Sequence, residues 1–297
     1  MRRMPAAAPL ALVLALAAAL AVPATGGAAF KGRNGRIAFS SERDPNADVY
    51  SVGSDGRGLR RLTRSANDTA PAFSPDGKMI AFQSARDLEW DLWLMTANGR
   101  QKHAIFKTPG YDGSPAWSPK GDRVAFMADF FGNQDVWTIA VDGTAGQRLT
   151  TSGADEREPA WSSRGQIAFV RPTIAGDDIW TMRANGGGNK RRITSNPVDD
   201  ETPDWSSSGR SIVFARGPYG QRDIWVMKAN GKDGKRLTKS PFDEKDPVFS
   251  PDGKWIAYAR GTPDSHDIWV MRVDGKLAHP IVTGVGDERF PDWQPLP

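Results

Sequence analysis

Six carboxylic acids return along the chain at one interval: Asp68, Asp112, Glu156, Asp200, Glu244 and Glu288 stand 44 residues apart throughout. Acids gathered in space can do three kinds of chemistry. They can hold a cation, act as an acid–base pair on a glycosidic or uronic bond, or accept turn N–H groups and arginine. Two like charges about 8 Å apart at an effective dielectric near 20 repel by roughly 2 kcal/mol. An open ring of six would therefore favour a cation, or a partner's Lys or Arg. Calcium is the metal that suits hard oxygen ligands, but no Asp-x-Asp-x-Asp loop is present, and neither metal nor cofactor is expected. A further acid precedes four of the six, at Asp155, Asp199, Asp243 and Asp287.

Other chemistries are thinly supplied. The absence of Cys removes disulfides, thiol catalysis and thiolate metal sites. His103, His266 and His279 are the only histidines and form no metal-ligand cluster. No Gly-x-Ser-x-Gly elbow occurs. No residue is assigned a catalytic role.

The elements that position the acids share their period. Three residues beyond each acid stands a Pro, and two beyond that an aromatic: Phe73, Trp117, Trp161, Trp205, Phe249 and Trp293. A Ser-Pro-Asp-Gly turn follows in the best copies, Pro71 to Gly77 and Pro247 to Gly253. An apolar strand comes next, as in Met79 to Phe82, then a loop, then Asp-x-aromatic at Asp48/Tyr50, Asp91/Trp93, Asp135/Trp137, Asp178/Trp180, Asp223/Trp225 and Asp267/Trp269. Asn98-Gly99 and its counterparts mark tight hairpins. A four-stranded repeat of this length is a propeller blade. The first blade lacks its inner strand, and the chain supplies one in isolation around Trp293. The expected fold is therefore all-β: a six-bladed β-propeller of four-stranded antiparallel blades, closed by the C-terminal strand, over residues 30–297. The periodic Trp residues should be buried blade residues.

Pro-x-aromatic, Ser-Pro-Asp-Gly, Ile-Ala-Phe, Asp-Ile-Trp-x-Met and Arg-Leu-Thr in succession resemble the TolB-type, WD-like propeller repeat; Phe249 to Gly253, Ile256 to Tyr258 and Arg236 to Thr238 are good copies. The resemblance spans the whole chain after residue 29. The family's namesake carries an additional N-terminal α/β domain, for which this sequence leaves no room. Related propellers serve envelope assemblies, hydrolases and polysaccharide lyases, so the repeat by itself implies no reaction.

Arg2 and Arg3, the apolar run Ala6 to Val22 and the small residues up to Ala29 have the layout of a secretory signal peptide, 1–29. A periplasmic or secreted location is expected, with no integral membrane segment after cleavage. The net charge of +4 falls to about +2 without Arg2 and Arg3, too little to argue for nucleic acid. Lys and Arg collect on the outer strands (Arg57, Arg60, Arg61, Lys190, Arg191, Arg192, Lys235, Arg236), where they guard against edge pairing.

The longer loops on the face shared with the acids vary from blade to blade, as a binding surface does. They carry Arg86, Trp90, Phe130, Phe131, Ile174, Tyr219, Arg222 and His266, and Arg171, Arg216 and Arg260 end the strands that feed three of them. Those three arginines either pair with the further acids nearby or make one half of the mouth charged and leave the other apolar. The expected function is a non-enzymatic scaffold, itself monomeric, that binds a protein or peptide on this face. The alternative is a hydrolase or polysaccharide lyase with an acidic site at the channel mouth.

Overall fold

The computed structural model describes residues 31–64, 66–87, 89–186, 188–284 and 286–297; the expected leader, 1–29, lies outside the described residues. These residues form six four-stranded antiparallel sheets. In the second blade the order from the axis outward is Asp68–Phe73, Met79–Ser84, Asp91–Thr96 and His103–Phe106. The inner strands of the next four blades are Asp112–Trp117, Arg157–Trp161, Asp200–Trp205 and Asp243–Phe249. The first blade takes its inner strand from the far end of the chain: Glu288–Leu296 pairs with Arg33–Ser41, which sets Trp293 opposite Ile37 and Glu288 opposite Ser41. The ring is closed as the repeats require. No helix among the described residues is long and apolar enough to cross a membrane.

Blade stacking explains why the second and third strands are apolar at consecutive positions: both faces of each sheet are covered. Ala160, Ala168 and Ile179 of the fourth blade form one cluster with Trp205, Ile212, Phe214 and Met227 of the fifth. The closing strand does the same, since Trp293, Ile37 and Phe39 pack with Ala257, Ile268 and Val270 of the sixth blade. Trp117 and Trp205 are buried, and their indole N–H groups donate to the Ala72 and Ala160 carbonyls of the preceding blades at 2.9 and 3.1 Å. Trp161, Trp137, Trp180, Trp225 and Trp269 are half-buried. Trp205→Ala should cost about 3–5 kcal/mol in urea unfolding; a loss below about 1 kcal/mol would contradict this packing.

Every inner strand is broken by a bulge at the same place. The residue before its Pro has left-handed φ: Ala70, Ser114, Glu158, Thr202, Asp246 and Phe290 lie between 50° and 54°, at the register shift against the second strand. Such φ values cost about 1–2 kcal/mol for an L-residue. The neighbouring blade offsets that cost by accepting the strained amide: Ala70 N–H donates to Ser40 Oγ at 2.9 Å, Ser114 to Gln83 Oε1 at 3.0 Å, and Thr202 to Glu158 Oε2 at 2.7 Å. The Pro itself removes an N–H from the free inner edge.

The outer strands correct one expectation. Arg61 and Arg192 are not merely solvated guards; each pairs at 2.5 Å with the buried Asp that opens the third strand, Asp48 and Asp178, as Arg148 does with Asp135. Arg236 pairs likewise with Asp223. The Thr two residues on accepts the next amide of that strand, as Thr63 does from Val49 at 2.9 Å. This gives Arg-Leu-Thr a structural role. Arg57, Arg60, Lys190, Arg191 and Lys235 are exposed at the edge, as expected.

Candidate functional site: the loop-face mouth and the axial channel

The six periodic acids occupy one equivalent position at the start of the inner strands, but they do not form an open ring. All are 0–1% exposed. Five are held by an arginine on the second strand or just past its end: Glu288 by Arg43 (2.6 Å), Asp68 by Arg86 (2.5 Å), Glu156 by Arg171 (3.6 Å), Asp200 by Arg216 (2.6 Å) and Glu244 by Arg260 (3.4 Å). Arg171, Arg216 and Arg260 thus pair with these acids, not with the further acids expected. Each guanidinium also lies over the aromatic of the third strand, at 5.0 Å for Tyr50, 5.1 Å for Trp93, 5.0 Å for Trp180, 4.8 Å for Trp225 and 4.4 Å for Trp269. Acid, guanidinium and aromatic form a stack inside five blades.

The third blade departs from the pattern. Asp112 has no arginine partner among the described residues and accepts instead from the Thr108 amide and hydroxyl at 3.0 Å. Burial pushes its carboxyl up to about 7. Phe131 stacks on Trp137 at 6.0 Å, where other blades place arginine, and the Arg148 guanidinium lies 4.5 Å from the Phe131 ring centre. Phe130 and Phe131 remain about half exposed, at 48% and 55%.

The further acids cap backbone. Asp155, Asp199, Asp243 and Asp287 accept the amides of Gln134, Asp177, Arg222 and His266 at 2.9–3.0 Å, joining each blade to the one before it. From these caps a charge network runs around half of the mouth. Arg157 pairs with Asp177 and reaches Glu201 at 3.8 Å. Arg222 bonds Glu201 at 2.6 Å and Asp243 at 3.1 Å. His266 is buried, with Nδ1 at 2.6 Å from Asp287 and Nε2 at 3.5 Å from Asp243. Burial opposes charge on that imidazole, but its bonds to Asp243 and Asp287 raise its pKa on balance. Burial would likewise raise Asp243, yet the bonds from His266 and the Arg222 amide bring it down to about 2. His266 is therefore a buried staple between two carboxylates rather than a free loop-face residue.

The rest of the mouth, at the second and third blades, is uncharged at the matching positions. Trp90 and Tyr111 meet at 6.0 Å with a 39° tilt, and Thr69 and Gly113 stand where the charged half has Arg157, Glu201, Lys245 and Arg289. Tyr219 and Ile174 project from neighbouring loops, with the Arg222 guanidinium 5.2 Å from the Tyr219 ring.

Inside the mouth runs an axial cavity of about 180 Å³, room for about six waters or one side chain. Its acids are ones the periodic pattern missed: Glu158, Asp204, Asp246 and Asp292. They sit two or four residues past the periodic acids, on the bulge or beyond it. Burial, with the nearby Glu201 charge, raises Glu158 to about 7; burial raises Asp204 to about 7 and Asp292 well above the carboxylate range. Asp246 is paired with Arg289 at 3.2 Å through Oδ2, while its buried Oδ1 has no partner. Asp204 and Asp292 accept the Phe249 and Phe73 amides at 2.9 and 2.6 Å. Glu158, Asp204 and Asp292 in so narrow a space resist ionising together, and an incoming cation would relieve them.

Comparison with known proteins follows the geometry. A family model described as the TolB beta propeller domain matches residues 89–297. A 54-residue stretch is 43% identical to a "Protein TolB homolog" of Chlorobium luteolum, taking in 18% of this chain and 12% of that protein, so the match spans a small part of the relative's length. Among solved structures, TolB from Acinetobacter baumannii is similar over 88% of this chain and 67% of its own, with TM-score 0.78 and 24% identity. A putative TolB from Agrobacterium tumefaciens is similar over 88% of this chain and 99% of its own, with TM-score 0.72 and 20% identity. At these identities the solved structures speak to the fold.

Proposed function

The chain belongs to the TolB beta propeller domain family, and from that premise we propose that it is an exported, non-enzymatic scaffold that binds a protein or peptide partner at the loop-face mouth. The observation that carries this reading is the division of the mouth. One half presents a continuous network from Asp177 to Asp287, and the other presents Trp90, Tyr111, Phe130 and Phe131. Aromatics beside an ordered polar surface suit protein recognition. The acidic axial cavity, too small for a folded ligand, suits one basic side chain from that partner. Export is supported by the leader-like composition of residues 1–29.

Residues 30–297, used as bait against native envelope and secretome extracts with crosslinking, should capture a discrete partner. Glu158→Gln combined with Asp246→Asn should weaken the capture several-fold without unfolding the bait. Capture should also strengthen as pH rises through about 7, because Glu158 and Asp204 gain charge there. Equal capture by the channel variant would remove the cavity from the site. Turnover of peptide or polyuronide substrates by the purified protein would replace the scaffold reading with the hydrolase or lyase one.

A further inference from the structure

This chain treats the pairing of a carboxylate with an aromatic face in one consistent way. In five blades a guanidinium lies between them: Arg43, Arg86, Arg171, Arg216 and Arg260 each touch both an acid and a ring. Besides the third blade, where Phe131 fills the arginine's position over Trp137, one cleft among the described residues offers an acid and rings without the cation. A cleft of about 560 Å³ opens between the loops of the first and second blades, with Trp90 and Tyr111 on one wall and Glu42 and Asp44 on the other. No Lys or Arg is among the described residues that line it. Asp44 is already engaged, by Arg61 at 3.0 Å and by the Tyr50 hydroxyl. Glu42 is exposed, and its carboxylate makes no hydrogen bond or ion pair with the described residues.

The aromatic wall is held in place by specific residues. Tyr111 donates its hydroxyl to Gln83 Oε1 at 2.7 Å, and the same oxygen accepts the Ser114 amide at 3.0 Å. This fold-back needs glycine at 113. A Cβ there would lie 2.3 Å from Gln83 Oε1 and 2.6 Å from the Tyr111 ring, closer than atoms can approach. Four of the other blades carry Arg157, Glu201, Lys245 or Arg289 at this position. Gly113 thus makes room for an aromatic wall where those blades place a charge.

We infer that this cleft takes an arginine side chain of the bound partner, its guanidinium over the Trp90–Tyr111 wall and its forked N–H groups toward the Glu42 carboxylate. Arginine fits better than lysine, because a planar guanidinium stacks on a ring while bonding a carboxylate in its own plane. The inference rests on the proposed partner-binding face and names a residue the partner must present there.

The cleft can be read without any partner. In residues 30–297, the indole N–H resonance of Trp90, assigned by Trp90→Phe, is followed during titration with N-acetyl-argininamide. A saturable shift is expected, with Kd at least threefold weaker in Glu42→Gln, whose exposed site leaves folding intact. N-acetyl-norleucinamide and glucose should give no saturable shift. Absence of saturation with the arginine probe overturns the inference, as does an equal response to norleucinamide or glucose, or an unchanged Kd in Glu42→Gln. A negative titration beside successful partner capture removes the arginine site and keeps the binding face. A positive titration beside failed capture does the reverse.

Discussion

A protein lacking residues 290–297 is expected to lose on the order of 20 °C in Tm, or to show no cooperative melt at all. Trp293 is buried against Ile37 and Phe39, and deleting a ring of that size from a core costs about 3–5 kcal/mol by itself. The deletion also removes most of the ladder onto Arg33–Ser41, leaving only the pairs made by Glu288 and Arg289. Two ties to the second blade go with it: Asp292 accepting the Phe73 amide at 2.6 Å, and the Gln294 amide donating to the Gly77 carbonyl at 2.8 Å. In a domain of this size about 1 kcal/mol corresponds to roughly 2–4 °C, so these losses together reach tens of degrees. The strand Arg33–Ser41 would become an open edge, and concentration-dependent aggregation should accompany the loss. A truncated protein melting at the same temperature by circular dichroism would contradict closure.

The triple change Glu156→Gln, Asp200→Asn, Glu244→Gln should destabilise the protein by about 5 kcal/mol in urea. Each substitution leaves a partly buried arginine without its carboxylate, a loss of about 1–3 kcal/mol per site once solvent access to the arginine is allowed for. The matching change in the third blade should act in the opposite sense. Asp112 has no arginine partner among the described residues, and its folded pKa lies near 7, above the unfolded value. The folded state therefore holds a proton that the unfolded state has lost, and stability falls as pH rises from about 4 to about 7. Asp112→Asn removes that dependence. It should be close to neutral at pH 4 and stabilising at pH 8. If the triple variant kept full stability, the periodic acids would have no structural role, and cation binding would again be their best explanation.

The contrast among these acids shows what a repeat reveals in sequence and what it hides. A closed ring of like blades forces one residue type into one place, so the 44-residue interval disclosed the blade count, the inner strands and the orphan strand at Trp293. The arginine partners were harder to read because they do not share a column. Arg216 ends its strand and Arg171 and Arg260 lie two residues before the ends of theirs, in the column that Ser41 and Ser84 occupy in the first two blades, whereas Arg43 and Arg86 come two residues past those serines. Both placements reach the same carboxylate, and an alignment by position sees serine where the structure has arginine. The channel acids were hidden by backbone geometry. Simple alternation along a strand predicts which residues face inward, but the left-handed residue before each Pro breaks it. Alternation would put Glu158 and Asp246 at the bulge, and Asp204 and Asp292 beyond it, on the same side as the periodic acids. With it broken they line the axis while the periodic acids stay buried in the blades. The outer-strand arginines looked alike in composition, and only their distance from Asp48, Asp135, Asp178 and Asp223 separates paired from exposed.

Joining the two ends of the chain in one sheet also sets an order of assembly. The strand Arg33–Ser41 is made well before its inner neighbour, Glu288–Leu296, which lies about 250 residues further on. While the intervening residues are being made the first blade waits with three strands and a bare edge, and later blades can already stack on one another. Contacts of such long sequence separation form slowly. The ring is thus kept from closing until the strand Glu288–Leu296 has emerged. This delay leaves a window in which a chaperone, or a second copy offering its own closing strand, competes for the same edge.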